Sequence, residues 1–167
     1  MIPETEIRFS FLLFNALLFM MCDIRHITAF YTVCTLHELG HAAATLLTGA
    51  GVRRIILSGF GIVMETGGCR RVTDHAAILA AGPAVNLILW ALLTSIGYKG
   101  CLSWLNLAAG ALNLLPFSGL DGGSLSELLV SGRMYERGLR VLLTIFRLLT
   151  GAVLAAFLLF RLSDRYF

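Results

Sequence analysis

A chain of 167 residues that is 57% hydrophobic and only 14% charged, with a mean hydropathy of +0.83, lies far outside the averages of soluble domains. This composition leaves no room for a soluble domain and makes the lipid bilayer the first partner to expect. The net charge of +3 is small, and a nucleic acid is not among the expected partners.

Five apolar runs are candidates for the bilayer: Phe9 to Cys22, Ile27 to Leu47, His75 to Ile96, Cys101 to Phe117 and Leu139 to Leu162. A spanning helix needs roughly 20 residues. The second, third and fifth runs meet that length, the fourth is borderline, and the first is short unless Arg8 snorkels to the interface. The segment before the first run holds Glu4 and Glu6 against Arg8, and no small-residue cleavage site follows, so a retained anchor is expected rather than a signal peptide.

The second run contains His37-Glu38-Leu39-Gly40-His41. Ionisable groups at membrane depth are functional by default. Residues four apart share one helix face, so His37 and His41 can aim ring nitrogens at one metal ion, with Glu38 placed to take a proton from a water without acting as a ligand. Catalytic zinc takes three protein ligands and keeps a fourth position open, so another ligand must come from elsewhere. Cys34 shares the face and could reach a metal, although a buried cysteine is more often a small apolar side chain.

Next comes Val52 to Thr66, β-branched, roughly alternating and punctuated by Gly59 and Gly61, which predicts a short hairpin. The third run carries Ala81-Gly82-Pro83-Ala84-Val85-Asn86, where Gly82 and Pro83 suit close helix packing or a bend. The fourth ends in Asn113-Leu-Leu-Pro116-Phe-Ser-Gly-Leu-Asp121-Gly122-Gly123. Pro116 breaks a helix, and the glycines allow irregular backbone, which membrane tolerates only when it is buried in protein or lines a wet cavity. A carboxylate on such a break is suited to meet His37 and His41, and Asp121 is the expected third ligand. A mere turn-forming aspartate before glycine is the plainer reading. Ser124 with Glu127 three residues on predicts a capping box that restarts a helix after the turn.

On the last helix Arg133, Arg137, Arg140 and Arg147 share a face. Either they snorkel to anionic headgroups, or Arg147 faces the bundle and pairs with a carboxylate. The four cysteines, Cys22, Cys34, Cys69 and Cys101, form neither a metal-type pairing nor a disulfide framework. With the amino terminus in the cytosol, the cytosolic side would hold Arg53, Arg54, Arg70, Arg71, Arg133 and Arg137, against Arg25, Lys99, Arg161 and Arg165 opposite.

The motifs HELGH at 37 to 41, Gly-Pro-x-x-Asn at 82 to 86 and Asn-x-x-Pro-x-x-x-x-Asp-Gly at 113 to 122, in that order, resemble the site-2 protease family of intramembrane zinc metalloproteases. Each motif alone is weak; the ordered set, over roughly residues 27 to 130, is specific. In lacking a PDZ or CBS-like extension, the chain is similar to a minimal, sporulation-type branch. The resemblance implies His37, His41 and Asp121 as zinc ligands, one Zn2+ per chain, Glu38 as general base and Asn113 as a group that holds substrate or a developing oxyanion. Asn86 is open between a substrate contact and a buried amide bonding a neighbouring helix, and Pro116 is expected near substrate at the break. The resemblance also places the hairpin close to the substrate, where an open strand edge could accept an unwound segment.

The expected fold is therefore an all-α polytopic membrane protein of about five transmembrane helices, with a membrane-associated β-hairpin after the HExxH helix and a broken helix at the Asn-Pro-Asp-Gly segment. One domain, 1 to 167, contains a catalytic core at about 27 to 130 and a carboxy-terminal helix at 139 to 162. The expected activity is hydrolysis of peptide bonds in or near the membrane segment of a membrane-associated protein, in a bacterial cytoplasmic membrane with the site open to the cytosol. The substrate and any regulatory membrane partner are not encoded in readable form. Two other classes compete. A metal transporter would need a further cluster of ligands along a pathway, and a silent binding scaffold would have no use for Glu38.

Overall fold

The computed structural model describes residues 4–58, 61–67, 71–131 and 136–166; Gly59, Cys69, Arg70 and Arg133 lie outside them. The order is β1 (Glu4–Ile7), α1 (Phe9–Met21), α2 (Ile24–Thr48), β2 (Gly51–Ser58), β3 (Gly61–Gly67), α3 (Val72–Ser95), α4 (Cys101–Asn113), α5 (Asp121–Val130) and α6 (Glu136–Tyr166).

The helices follow the apolar runs closely. α2 stops at Gly49, whose φ of 69° is the left-handed conformation that glycine adopts without steric cost. α4 ends at Asn113, three residues before Pro116, and Gly119 (φ 92°) turns the chain into α5. At 13 residues α4 is about 20 Å long, too short to cross a hydrocarbon core of about 30 Å unaided. The fourth segment is thus two short helices joined by a break.

The capping-box expectation is corrected here. α5 starts at Asp121, so Ser124 lies one turn inside it and its amide donates to Leu120 O at 3.1 Å. The reason is steric: Gly122 and Gly123 press against the carbonyls of Leu114, Leu115 and Phe117, where no Cβ would fit, so the first turn of α5 packs directly on the break. Glu127, freed from a cap, is taken by arginines of α6.

The hairpin is present, and it belongs to a larger sheet. β2 and β3 pair antiparallel from Gly51↔Gly67 to Ser58↔Gly61, with an irregularity between Val52 and Arg54. β1, unforeseen in the sequence, pairs parallel with β2 from Glu4↔Arg54 to Ile7↔Leu57, giving the order β1-β2-β3. Arg54 bonds Glu4 at 3.2 Å and lies 3.7 Å from Glu6 across that pair.

α3 is the hub, packing on α2, α4 and α5. Gly40 is what lets α2 come close, since a Cβ there would fall 2.8 Å from Ala81 O and 2.9 Å from Val85 Cγ2. Gly110 does the same for α4, against Leu87 and Pro83 O. The interior so formed is polar. Among the described residues the buried apolar side chains are Ile27, Val33, Ile56, Ile78 and the prolines Pro83 and Pro116, whereas His37, His41, Thr45, Ser58, Asn86, Ser103 and Asn106 are all buried. Leucines such as Leu46 and Leu47, at 80% and 88% exposure, face outward with many other large apolar side chains. An exterior of that kind is at home in lipid. Among the described residues one helix, Val72–Ser95, is long and apolar enough by itself to cross a membrane.

Candidate metal centre

The second half of α2 places His37 and His41 one above the other toward α3, and the start of α5 brings Asp121 to them. His37 Nε2 lies 3.0 Å and His41 Nε2 3.2 Å from Asp121 Oδ2, and the two ring nitrogens are 3.1 Å apart. Two lone-pair nitrogens do not approach each other and a carboxylate this closely without a cation or proton between them.

Three features of the surroundings suit a divalent metal. His41 Nδ1–H donates to Ile78 O at 2.7 Å, which leaves Nε2 of the neutral ring unprotonated and aimed at the cluster. Pro83, inside α3, has no amide to give Leu79 O, the carbonyl next to the one that His41 uses. Gly82 faces the two imidazoles so closely that a Cβ would collide with both Nε2 atoms, which keeps a small volume clear in front of them. Among the described residues, His37, His41 and Asp121 are the one group of three side chains placed to hold a metal, their ligand atoms all within 4.8 Å. Zinc accepts such a nitrogen and oxygen donor set.

Glu38 is directed beside this cluster, within electrostatic reach of His41, His37 and Asp121. Its Oε2 is buried and has no hydrogen-bond partner among the described residues. A carboxylate oxygen in that condition is a reserved acceptor, because leaving it dry and unbonded costs free energy.

The other expected residues sit as follows. Asn86 has no exposed surface, and its side-chain amide lies 3.1 Å from His37 Nδ1. That contact is the one the interior-amide reading expects. Asn113 closes α4 and donates back to Ala109 O at 3.0 Å. Pro116 is buried in the break. Cys34 is half-buried and is not part of the cluster.

Sequence reasoning missed the importance of Gly82, whose proximity to the histidines comes from the packing of α2 on α3, and it left Arg147 open between two roles. The structure resolves the second: Arg147 Nη2 bonds Glu127 Oε1 at 3.0 Å, and Nε donates to Pro116 O.

No family model matches the chain. Over 106 residues, 56% of the chain, it is 35% identical to a protein of Synechocystis sp. whose name marks it as an inferred zinc metalloprotease. Over 112 residues it is 32% identical to stage IV sporulation protein FB of Bacillus subtilis. The chain spans 28% and 39% of the lengths of these two relatives. Its fold is similar to the solved structure of a site-2 protease from Methanocaldococcus jannaschii, with a TM-score of 0.64 and 26% identity over 96% of this chain and 81% of that one.

Proposed function

We propose that this chain is a zinc metalloprotease of the site-2 type, an endopeptidase that hydrolyses peptide bonds in or near the transmembrane segment of a membrane-associated protein; its likeness to zinc metalloproteases and to a solved site-2 protease supports the reading. The observation that carries this reading is the buried, partnerless Glu38 Oε2 beside the triangle of His37, His41 and Asp121. Transport and passive binding need ligands; neither needs a reserved proton acceptor next to them.

His37, His41 and Asp121 would hold the zinc. When bound, the metal supplies Lewis acidity, polarising a carbonyl and acidifying water. Glu38 Oε2 accepts the proton of the attacking water and hands it to the leaving amine nitrogen. Asn86 orients His37: a half-turn of its amide presents Oδ1, otherwise unbonded, to Nδ1–H, leaving Nε2 as the ligand atom. Asn113, the last residue of α4, would donate to the developing oxyanion. Water would reach the metal from the cytosolic side, where Pro116 and the glycines after it break the helix. The spans are α1, α2, α3, the broken α4–α5 unit and α6 of a bacterial cytoplasmic membrane.

The test is elemental analysis of the detergent-purified protein alongside cleavage of a membrane-tethered peptide. About one zinc per chain, kept in Glu38→Gln and lost in Asp121→Ala, with cleavage lost in both, is the expected result. A native chain without zinc, or zinc indifferent to Asp121→Ala, would overturn the ligand set. Cleavage surviving in Glu38→Gln would overturn its role as base.

A further inference from the structure

The loop from Leu114 to Leu120 has left the helical ladder, so its carbonyls need partners from elsewhere. Leu120 N–H serves Phe117 O at 3.1 Å. Pro116 O receives the Nε–H of Arg147, 31 residues away on α6. The same guanidinium bonds Glu127 Oε1 at 3.0 Å, and Arg140, itself paired with Glu136 at 2.7 Å, reaches Glu127 Oε2 at 3.5 Å. Pro116 lies five residues before Asp121 and Glu127 six after it. One planar cation therefore grips both flanks of the segment that carries the third ligand.

We propose that Arg147 is a positioning residue, which holds the Asp121 turn against His37 and His41 by bridging Pro116 O and the Glu127 carboxylate. A snorkelling arginine would present its head to water or phosphate. This one has only 22% of its side chain exposed and spends its donors on the break. The guanidinium suits the task because its fixed fork can serve a carbonyl and a carboxylate at once, which a lysine ammonium on a flexible stem does less well. Gly151, one turn further along α6, lies over the Phe117 ring, so α6 meets the break at a second point. Loss of the arginine would free the backbone on both sides of Asp121 and blur the triangle of donor atoms. The ligand aspect of this proposal rests on the proposed zinc site; the mechanical aspect does not.

The experiment uses the full chain in lipid nanodiscs, native and as Arg147→Leu, Arg147→Lys and Glu127→Ala. Two properties are read: amide hydrogen exchange over residues 114 to 124, and zinc affinity by chelator competition. Arg147→Leu should speed exchange in that segment about tenfold, with α3 unchanged, and weaken zinc binding by a similar factor. Arg147→Lys should recover part of both. Native-like exchange and affinity in Arg147→Leu would overturn the proposal and return Arg147 to the headgroups. If Arg147→Leu loses protection throughout, Glu127→Ala decides: faster exchange confined to 114 to 124 supports the bridge, and unchanged exchange refutes it. A native chain that binds no zinc while its exchange still responds to Arg147→Leu would sink the hydrolase reading and leave the bridge standing.

Discussion

At the scale of single residues, HELGH was legible because its meaning is local: spacing alone puts two imidazoles on one face. Asp121 was legible for a different reason, since a proline and three glycines around a lone carboxylate announce broken backbone. Asn86 was not, because its partner is 49 residues away and the choice between His37 and a substrate depends on how α3 is rotated against α2. Asn86→Leu should weaken zinc binding roughly 10- to 100-fold, as loss of a partner to a ligating imidazole does, while Asn86→Asp, which keeps an acceptor for Nδ1–H, should retain most of it. Chelator competition distinguishes the two. Gly82→Ala adds one methyl group where the Nε2 atoms converge, and should abolish zinc binding without unfolding α3, checked by elemental analysis beside circular dichroism. Glu38→Gln should leave zinc in place and slow cleavage by about 10²- to 10⁴-fold, the usual worth of a general base.

At the scale of elements, the helices could be read from the apolar runs, whereas β1 could not. Glu4 to Ile7 is four residues with two glutamates, a composition that disfavours strand, and only the edge of β2 makes it one. Its presence changes the argument about substrate. With β1 on one side of β2 and β3 on the other, Ile55 is paired to Thr5 and to Met64, so a proline there would dismantle the sheet and test nothing specific. The outer edge of β3 is the one the hairpin presents beyond its own pairing. Val63→Pro should therefore impair cleavage of a tethered substrate while zinc content stays native. Unchanged cleavage would remove strand addition from the mechanism. The false start predicted for α5 has a comparable origin: Ser124 and Glu127 satisfy a local capping rule, but Gly122 and Gly123 give the backbone a tertiary packing partner that outweighs it.

At the scale of the whole molecule, the usual arrangement of polarity is reversed among the described residues: buried polar groups collect on α2, α3 and α4, and leucine and phenylalanine line the outside. With few apolar side chains buried among the described residues, a metal that ties α2 to α5 would be a large part of what holds them together. Chelation should lower the midpoint of thermal unfolding in detergent by several degrees, and added zinc should restore it, read by tryptophan fluorescence. The parallel pairing of β1 with β2 also bears on how the molecule is made. A parallel pair needs a crossover, and here the crossover is the helical hairpin of α1 and α2. β1 leaves the ribosome before β2, which emerges only after both helices have been synthesised. β1 must therefore wait for its partner while the two helices form, and the sheet closes behind them as a latch. Anything fused upstream of Glu4 would be carried to that latch.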